Sequence, residues 1–289
     1  MIKKYLRTTT DLYKGSLEKF FILVFNTINK LPKGRFATSL GLERIWSYTH
    51  IIAVYGQEIK FHNPNWLTQL RAKTLLTKEP ETINWLNHMP DGSVLWDIGA
   101  NIGTYSIYAA KNNIRVIAVE PSFMNIEILN RNVISNRVQD LVTIVPCAVG
   151  SNTGVLDFYM SSSTLTWGGA HNSVGSNIGY DGKPIKDPVS TTAICFTIDN
   201  LAEMLKLPYP THIKIDVDGL EAEVLQGASN ALKSVNSILI EVDKNYESQQ
   251  LEIETILKNT NFELSFEAVD YQETANQIWA KSSLLEDNA

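Results

Sequence analysis

Two short apolar segments, each ending in an acidic residue, restrict the fold of this chain more than any other feature. Val94 to Trp96 ends at Asp97, and Val116 to Val119 ends at Glu120. The residues between them, from Thr104 to Lys111, have a helical composition. A strand, a helix and a second strand in this order form a parallel pair with a right-handed crossover.

The same alternation continues downstream. It predicts one helix and three strands: Met124 to Asn132, Val142 to Val145, Ile213 to Val217 and Ile238 to Val242. The last two apolar segments, Phe262 to Phe266 and Gln277 to Lys281, could close the sheet as an antiparallel hairpin. We therefore expect an α/β, Rossmann-like fold with a mostly parallel seven-stranded sheet and helices on both faces.

An insertion interrupts this pattern after the third parallel strand. Gly150 to Gly154 forms a turn that leads into Val155 to Met160, which predicts a β-hairpin. A stretch rich in glycine and serine follows, from Ser161 to Ser190. Loops of that length inside a compact domain are usually functional lids or disordered segments.

The first 35 residues are basic, with eight lysines and arginines against two acids. Apolar residues from Leu17 to Ile28 recur at helical spacing and predict an amphipathic helix that ends near Pro32. We expect residues 1–75 to form an N-terminal helical extension and residues 76–289 to form the catalytic domain. The helix could pack on that domain, pair with a second subunit in a homo-oligomer, or rest on an anionic membrane surface; packing against protein is favoured.

Charge and composition exclude several classes of protein. The formal net charge of -6 argues against a general nucleic-acid binder, because phosphate binding needs a surplus of lysine and arginine. The two cysteines, Cys147 and Cys195, form neither a disulfide framework nor a metal motif. The longest apolar run, Phe20 to Phe25, is too short to cross a bilayer, and no secretory signal follows Met1. We expect a cytoplasmic protein, with membrane association through the basic helix as the alternative.

The turn between the first two strands has the character of a ligand site. Gly99 and Gly103 follow Asp97 at the position where open α/β sheets bind ligands. Glu120 can accept hydrogen bonds from ribose hydroxyls. A dinucleotide would place its pyrophosphate at the helix N-terminus, where Asp97 would repel it. A ligand with an ammonium and a sulfonium group, such as S-adenosylmethionine, suits this carboxylate.

Several motifs together resemble the FkbM-type methyltransferases. They are Val94 to Tyr105, Val116 to Pro121, Ile213 to Gly219 and Ile238 to Val242, with Lys78 to Thr82 before the first strand. The resemblance implies a class I methyltransferase fold, S-adenosylmethionine as methyl donor, and O-methylation in glycan or natural-product biosynthesis. It implies donor contacts from Asp97, Gly99, Ala100, Asn101, Gly103, Glu120, Pro121 and Glu79. Many relatives carry Glu at the position of Asp218, and the segment Met1 to Arg35 lies outside the resemblance.

Charged residues alternate with apolar ones on the fourth strand. Lys214, Asp216 and Asp218 project on one face of a strand that should be apolar on both faces. One interpretation is a buried structural ion pair between Lys214 and Asp216. The other is that Asp216, beside Lys214, acts as general base for an acceptor hydroxyl.

Two further groups are candidates for the chemistry. His171, in the long loop, is a second candidate base. We expect no metal, with a divalent ion held by Asp216, Asp218 and Glu241 as the alternative.

The sequence therefore predicts an S-adenosylmethionine-dependent O-methyltransferase whose acceptor is a hydroxyl group of a sugar or glycan. A small natural product or a lipid head group is the rival acceptor. A non-catalytic binding module with the same fold is the rival class, and the joint presence of Asp97, Glu120 and Asp216 speaks against it.

Overall fold

A computed structural model of the 289-residue chain describes residues 19–46, 49–54, 57–268 and 274–286. The helices are α1 (residues 19–29), α2 (Gly34–Trp46), α3 (Trp66–Lys73), α4 (Pro80–Asn87), α5 (Thr104–Lys111), α6 (Phe123–Asn136), α7 (Ile198–Leu205), α8 (Glu221–Gln226), α9 (Glu247–Asn259) and α10 (Ser282–Glu286). The strands are β1 (Thr49–Val54), β2 (Gln57–His62), β3 (Val94–Ile98), β4 (Arg115–Val119), β5 (Val142–Val145), β6 (Ala148–Val149), β7 (Gly154–Ser161), β8 (Asn172–Val174), β9 (Pro188–Phe196), β10 (His212–Ile215), β11 (Ser237–Asp243), β12 (Phe262–Glu267) and β13 (Thr274–Lys281).

The main sheet has seven strands in the order β12-β13-β11-β10-β3-β4-β5. The five strands from β11 to β5 are parallel, and β13 pairs antiparallel with both β11 and β12. The predicted mostly parallel seven-stranded sheet with a closing antiparallel hairpin is therefore confirmed. The chain order reverses between β3 and β10, which is the switch point where an open α/β sheet has its ligand crevice.

Two apolar cores cover the two faces of this sheet, as the period-two pattern of strands requires. Leu95 of β3 packs in the core formed with α4, α5 and α6. Its neighbour Trp96 packs in the core formed with α7, α8 and α9. The expected helices on both faces are confirmed.

The insertion after β5 forms a separate four-stranded sheet in the order β6-β9-β7-β8. The strands on either side of the Gly150–Gly154 turn, β6 and β7, do not pair with each other. Instead β7 pairs antiparallel with β9, which it reaches through a long connection. That connection contains β8, which pairs with the end of β7 next to the carboxyl edge of the main sheet. The glycine- and serine-rich stretch is therefore partly ordered as strand.

The chain divides into two compact units, Met1–Tyr48 and Thr49–Ala289. This division lies before the expected boundary between residues 75 and 76. Residues 49–62 form the hairpin β1-β2 instead of continuing a helical extension, and Ile59 and Phe61 are buried on one face of it. Backbone groups of β2 bond the Asn132 and Asn136 side chains of α6, so the hairpin belongs to the larger unit.

The first unit contributes the helices α1 and α2. Six large apolar residues of α1, from Phe20 to Phe25, are exposed, and the most exposed are Phe20, Phe21 and Leu23, with 59%, 65% and 66% of their surface open. The predicted amphipathic helix begins, at Leu17, outside the described residues. Its docking on protein, on a second subunit or on a membrane stays a prediction. Within the described part of the chain, no helix has both the length and the apolar content needed to cross a membrane.

Candidate active site

The site begins with Asp97, which is buried in β3 in register with Lys214 of β10. The Ser106 hydroxyl donates to Asp97 Oδ2. Asp97 Oδ1 is buried without a hydrogen-bond partner among the described residues. Burial raises the pKa of Asp97, and the nearby Lys214 ammonium opposes that shift. Buried polar atoms without partners are rare, so Oδ1 is a candidate acceptor for a ligand group.

The turn after β3 depends on glycine at two positions. Gly99 has a φ of +83°, and a Cβ there would lie 1.9 Å from the carbonyl oxygen of Asp216. Gly103 has a φ of +79°, and its Cβ would lie 2.2 Å from Leu129 Cδ1. Glycine alone tolerates both conditions. The bare backbone at residue 99 lets the ends of β3 and β10 approach each other closely.

Glu120 follows β4 and is 4% exposed. Its Oε2 accepts a bond from the backbone N–H of Asn101 at 2.8 Å, and its Oε1 accepts from Ser122 N at 2.9 Å and from Asn125 Nδ2 at 3.3 Å. Burial raises the pKa of Glu120 to about 7, although these donors favour the ionised form. All three donors are neutral, so the carboxylate is held by hydrogen bonds without a cation.

The loop between β7 and β8, residues 162–171, forms one wall of the site. The carbonyl oxygen of Gly169 accepts bonds from Asn101 Nδ2 at 2.8 Å and Asn125 Nδ2 at 3.1 Å. The backbone N–H of Gly168 donates to Asn125 Oδ1 at 2.9 Å. The β7–β8 loop is therefore tied to the two asparagines that also hold Glu120.

Helix α3 holds the other side of the β7–β8 loop. Arg71 Nε donates to the carbonyl oxygen of Gly168 at 2.8 Å, and Asn65 Nδ2 donates to that of Trp167 at 2.9 Å. These bonds place the loop between α3 and α6, above the carboxyl ends of the parallel strands.

Two adjoining cavities open at this edge of the sheet. The Glu120 cavity encloses about 670 Å³, part of it open to solvent, and the Asp97 cavity about 440 Å³. The Glu120 cavity is lined by Gly99, Asn101, Glu120, Pro121, Asn125, Phe158, Gly169, Asp216 and Asp218, among others. The Asp97 cavity is lined by Lys78, Glu79, Asp97, Ala100, Tyr105, Lys214 and Asp216, among others. Arg71, Gly99, Asn101 and Asp216 line both, so the cavities meet between β3 and β10.

The Asp97 cavity contains paired charges. Lys214 is 2% exposed in its side chain, and its Nζ lies 2.8 Å from Asp216 Oδ2 and 5.2 Å from the ring centre of Tyr105. Burial by itself would raise the pKa of Asp216, but the ammonium groups of Lys214 and Lys78 lower it overall below its ordinary value. The predicted Lys214–Asp216 ion pair is thus present, and 31% of the Asp216 side chain remains open.

Glu241 of β11, the strand next to β10, is close enough to interact electrostatically with Asp216. Its Oε1 accepts a bond from Thr274 Oγ1 at 3.1 Å. Burial, together with the negative charge of Asp216, raises the pKa of Glu241 well above its ordinary value. Glu241 lines neither cavity, and the negative charge of Asp216 disfavours ionisation of its carboxyl group.

Asp218 and His171 meet through the backbone of the β7–β8 loop. Asp218 Oδ2 accepts bonds from His171 N at 2.7 Å and from Asn172 N at 3.2 Å. The His171 ring packs edge-on against Tyr180, with 4.7 Å between ring centres, and lines neither cavity. Asp218 therefore fastens the loop. Within the described residues, no group of three or more His, Cys, Asp or Glu side chains is arranged to hold a metal ion.

The sequence profile of the methyltransferase FkbM domain matches residues 97–264, which is more than half of the chain. The chain belongs to this methyltransferase family. The expected resemblance to FkbM-type methyltransferases is confirmed, and so is the class of fold.

Two curated methyltransferases are similar to this FkbM-family chain. Hexuronic acid methyltransferase AglP of Haloferax volcanii is 33% identical over 158 residues, which cover 54% of this chain and 59% of that relative. Methyltransferase sdnD of Sordaria araneosa is 23% identical over 207 residues, covering 64% of this chain and 79% of that relative. The first match therefore spans about three fifths of the relative's own length.

Solved structures resemble this FkbM-family chain more distantly. Precorrin-6y C5,15-methyltransferase from Geobacter metallireducens has a TM-score of 0.44 at 16% identity, covering 73% of this chain and 93% of that chain. Magnesium protoporphyrin IX methyltransferase (ChlM) from Synechocystis, solved with bound SAM, has a TM-score of 0.44 at 10% identity, covering 85% and 92%. The strand order of the main sheet defines the fold by itself.

The structure distributes the predicted donor-binding residues of the FkbM-family site over the two cavities. Gly99 and Asn101 line both, Glu120 and Pro121 line the first, and Glu79, Asp97 and Ala100 line the second. Gly103 lines neither and serves the packing of α5 against Leu129.

Glu79 is buried and already bonded within the protein. Its Oε1 lies 2.6 Å from Lys78 Nζ, and its Oε2 accepts from Thr82 Oγ1. It therefore orders the start of α4 beside the Asp97 cavity.

Sequence reasoning missed two residues of the site, Asn125 and Arg71. Asn125 is buried in the first turn of α6. A polar side chain on the buried face of a helix is the sequence signal that could have identified it. Arg71 lies outside the family motifs, and it reaches the site only because α3 packs beside the β7–β8 loop.

Proposed function

We propose that this protein is an S-adenosylmethionine-dependent O-methyltransferase that acts on a hydroxyl group of a sugar. The observation that carries the proposal is Glu120. This buried carboxylate borders a cavity at the carboxyl end of β4, beside the glycine turn after β3. Family membership supports methyl transfer as the reaction.

The donor set of the site suits S-adenosylmethionine. Glu120 offers a carboxylate to ribose hydroxyls, and bonds to a charged acceptor are stronger than neutral ones. The unpartnered Oδ1 of Asp97 offers a buried negative charge to the ammonium group. Apolar side chains of the Glu120 cavity, Val119, Phe158 and Val174, suit an adenine ring. A pyrophosphate at the start of α5 would instead meet the negative charge of Asp97.

In this proposal Asp216 binds the hydroxyl group of the acceptor. S-adenosylmethionine supplies a methyl group that is electrophilic because it is bonded to a positively charged sulfur. Asp216 lies where the two cavities meet, so its carboxylate can orient a hydroxyl toward the donor and take up its proton. An oxygen that gains a methyl group while it still carries its proton becomes far more acidic than a carboxylic acid. A carboxylate with a lowered pKa can therefore accept that proton, and positioning supplies much of the rate.

A sugar acceptor is supported by the relative from Haloferax volcanii, whose name is hexuronic acid methyltransferase. Polar side chains around Asp216 suit a hydroxylated substrate better than an apolar one.

The test is transfer of a labelled methyl group from S-adenosylmethionine into an extract of the native cell by the purified full chain. The carbohydrate fraction is then hydrolysed, and its methylated sugars are identified by mass spectrometry. We expect the label in an O-methyl sugar with the native protein and none with Glu120→Ala. Label in lipid head groups or in a small natural product would overturn the sugar assignment, and absence of transfer into any fraction would overturn the enzyme assignment.

A further inference from the structure

Arg71 occupies the wall that the two cavities share. It lies in the last turn of α3, is half-buried, and lines both the Glu120 and the Asp97 cavity. Its Nε donates to the Gly168 carbonyl oxygen at 2.8 Å. This bond fixes the plane of the guanidinium against the β7–β8 loop.

The other two cations of the Asp97 cavity are paired with carboxylates. Lys78 Nζ lies 2.6 Å from Glu79, and Lys214 Nζ lies 2.8 Å from Asp216. Arg71 forms no ion pair with a described residue, and its two terminal nitrogens have no hydrogen-bond acceptor there. An arginine is always charged, and a charge that is partly removed from water is stabilised by an opposite charge.

We infer that Arg71 binds a carboxylate group of a ligand through its two terminal nitrogens. A guanidinium presents two parallel N–H groups that match the two oxygens of a carboxylate. The inference rests on the proposed function, which offers two sources for that carboxylate. One is the methionine part of the donor, and the other is an acidic sugar such as a uronic acid.

The experiment compares ligands with and without a carboxylate. The nucleoside without it also lacks the ammonium group of the amino acid, but a guanidinium repels an ammonium group, so loss of Arg71 weakens binding only through the carboxylate. S-adenosylhomocysteine and 5′-methylthioadenosine are titrated into the full-length native protein, Arg71→Gln and Arg71→Lys by calorimetry. Methyl β-glucuronide and methyl β-glucoside are titrated by NMR into the same proteins loaded with S-adenosylhomocysteine. Arg115→Gln is the matched control, because Arg115 is exposed at the opposite end of β4.

If Arg71 binds the carboxylate of the methyl donor, Arg71→Gln should lower the affinity for S-adenosylhomocysteine about tenfold to a hundredfold. The affinity for 5′-methylthioadenosine should stay unchanged. If Arg71 instead binds a carboxylate of the acceptor, the affinity for the glucuronide should fall by the same factor. The affinities for the glucoside and for both nucleosides should then stay unchanged. In either case Arg71→Lys keeps part of the affinity, because it retains the charge without the planar fork.

Other outcomes overturn the inference. If all four ligands bind Arg71→Gln as they bind the native protein, Arg71 only fastens the β7–β8 loop. Equal weakening of ligands with and without the carboxylate assigns the effect to loss of the Gly168 bond. Failure of the native protein to bind either nucleoside overturns the proposed function itself, and that result is read from the native protein alone.

Discussion

Glu120 and Asp216 are both carboxylates at the carboxyl edge of one parallel sheet, but their surroundings differ. Glu120 is surrounded by neutral donors, so burial raises its pKa to about 7. Asp216 lies 2.8 Å from a buried lysine, which holds its pKa below the ordinary value. Hydrogen bonds from neutral donors leave a carboxylate able to exchange partners and protons near neutral pH. A carboxylate beside a lysine is a fixed negative charge.

This difference assigns the two carboxylates different tasks. Glu120 can exchange contacts with the Asn101 and Asn125 donors for contacts with ligand hydroxyls. Lys214 favours the ionised form of Asp216, and in the proposed function this charge orients the reacting hydroxyl.

The largest effect is expected for Glu120→Ala. It removes the acceptor of two ribose hydrogen bonds, each worth about 1.5–3 kcal/mol when charge-assisted. Affinity for S-adenosylhomocysteine should fall more than about a hundredfold in calorimetry. Glu263→Ala, at an exposed position of β12, is the control and should bind normally. Equal affinity in Glu120→Ala and native protein would remove Glu120 from the donor site.

The second-largest effect is expected when the lysine that keeps Asp216 ionised is replaced. Lys214→Met leaves Asp216 and Asp97 without their shared cation, so the free energy of unfolding in urea should fall by about 3–5 kcal/mol. The control is Lys258→Met, which breaks an exposed ion pair with Glu254. It should change the free energy of unfolding by less than about 1 kcal/mol. If both variants unfold alike, the surroundings of Asp216 and Glu120 do not differ as described.

Asp216→Asn separates binding from turnover. The amide keeps the shape of the side chain but loses its charge, so methyl transfer should slow by about a hundredfold, the lower end of the usual range for proton transfer. Affinity for S-adenosylhomocysteine should stay within about threefold. Asp140→Asn, exposed before β5, is the control. Full turnover in Asp216→Asn would exclude Asp216 from the reaction.

The smallest effect is a pH dependence at the Glu120 end. Ribose hydroxyls donate to the ionised carboxylate, so the ligand favours deprotonated Glu120 and binding releases a proton. Because burial raises the pKa of free Glu120 to about 7, affinity should fall about fivefold between pH 7 and pH 6. Calorimetry over this range checks the slope. Glu120→Gln should lack it, and an unchanged slope in that variant would assign the titration to another group.

Sequence predicted the central elements because their signals are local. Helix α5 has the predicted bounds, and β3, β4, β5 and β11 lie within a few residues of the expected strands. Apolar residues fill these buried strands, and acids lie at or near the ends of β3, β4 and β11. These acids lie at the carboxyl edge of the sheet, so the spacing was enough to predict that Asp97 and Glu120 come close to the glycine turn.

The parts that sequence could not predict depend on contacts between distant segments. Arg71 meets Gly168 across 97 residues, and Asn125 meets Gly169 across 44. Thr197 caps α7, whereas Asp199 accepts bonds from the backbone of residues 230 and 231. Either residue has a suitable side chain, and only the packed structure decides between them.

The most direct measurement of the central claim is calorimetric titration of the purified full chain with S-adenosylhomocysteine and, separately, with NAD. The account predicts one-site binding of S-adenosylhomocysteine and no detectable binding of NAD, because the Asp97 carboxylate lies beside the first turn of α5, where the pyrophosphate of NAD would bind. Binding of NAD, with no heat from S-adenosylhomocysteine, would contradict it.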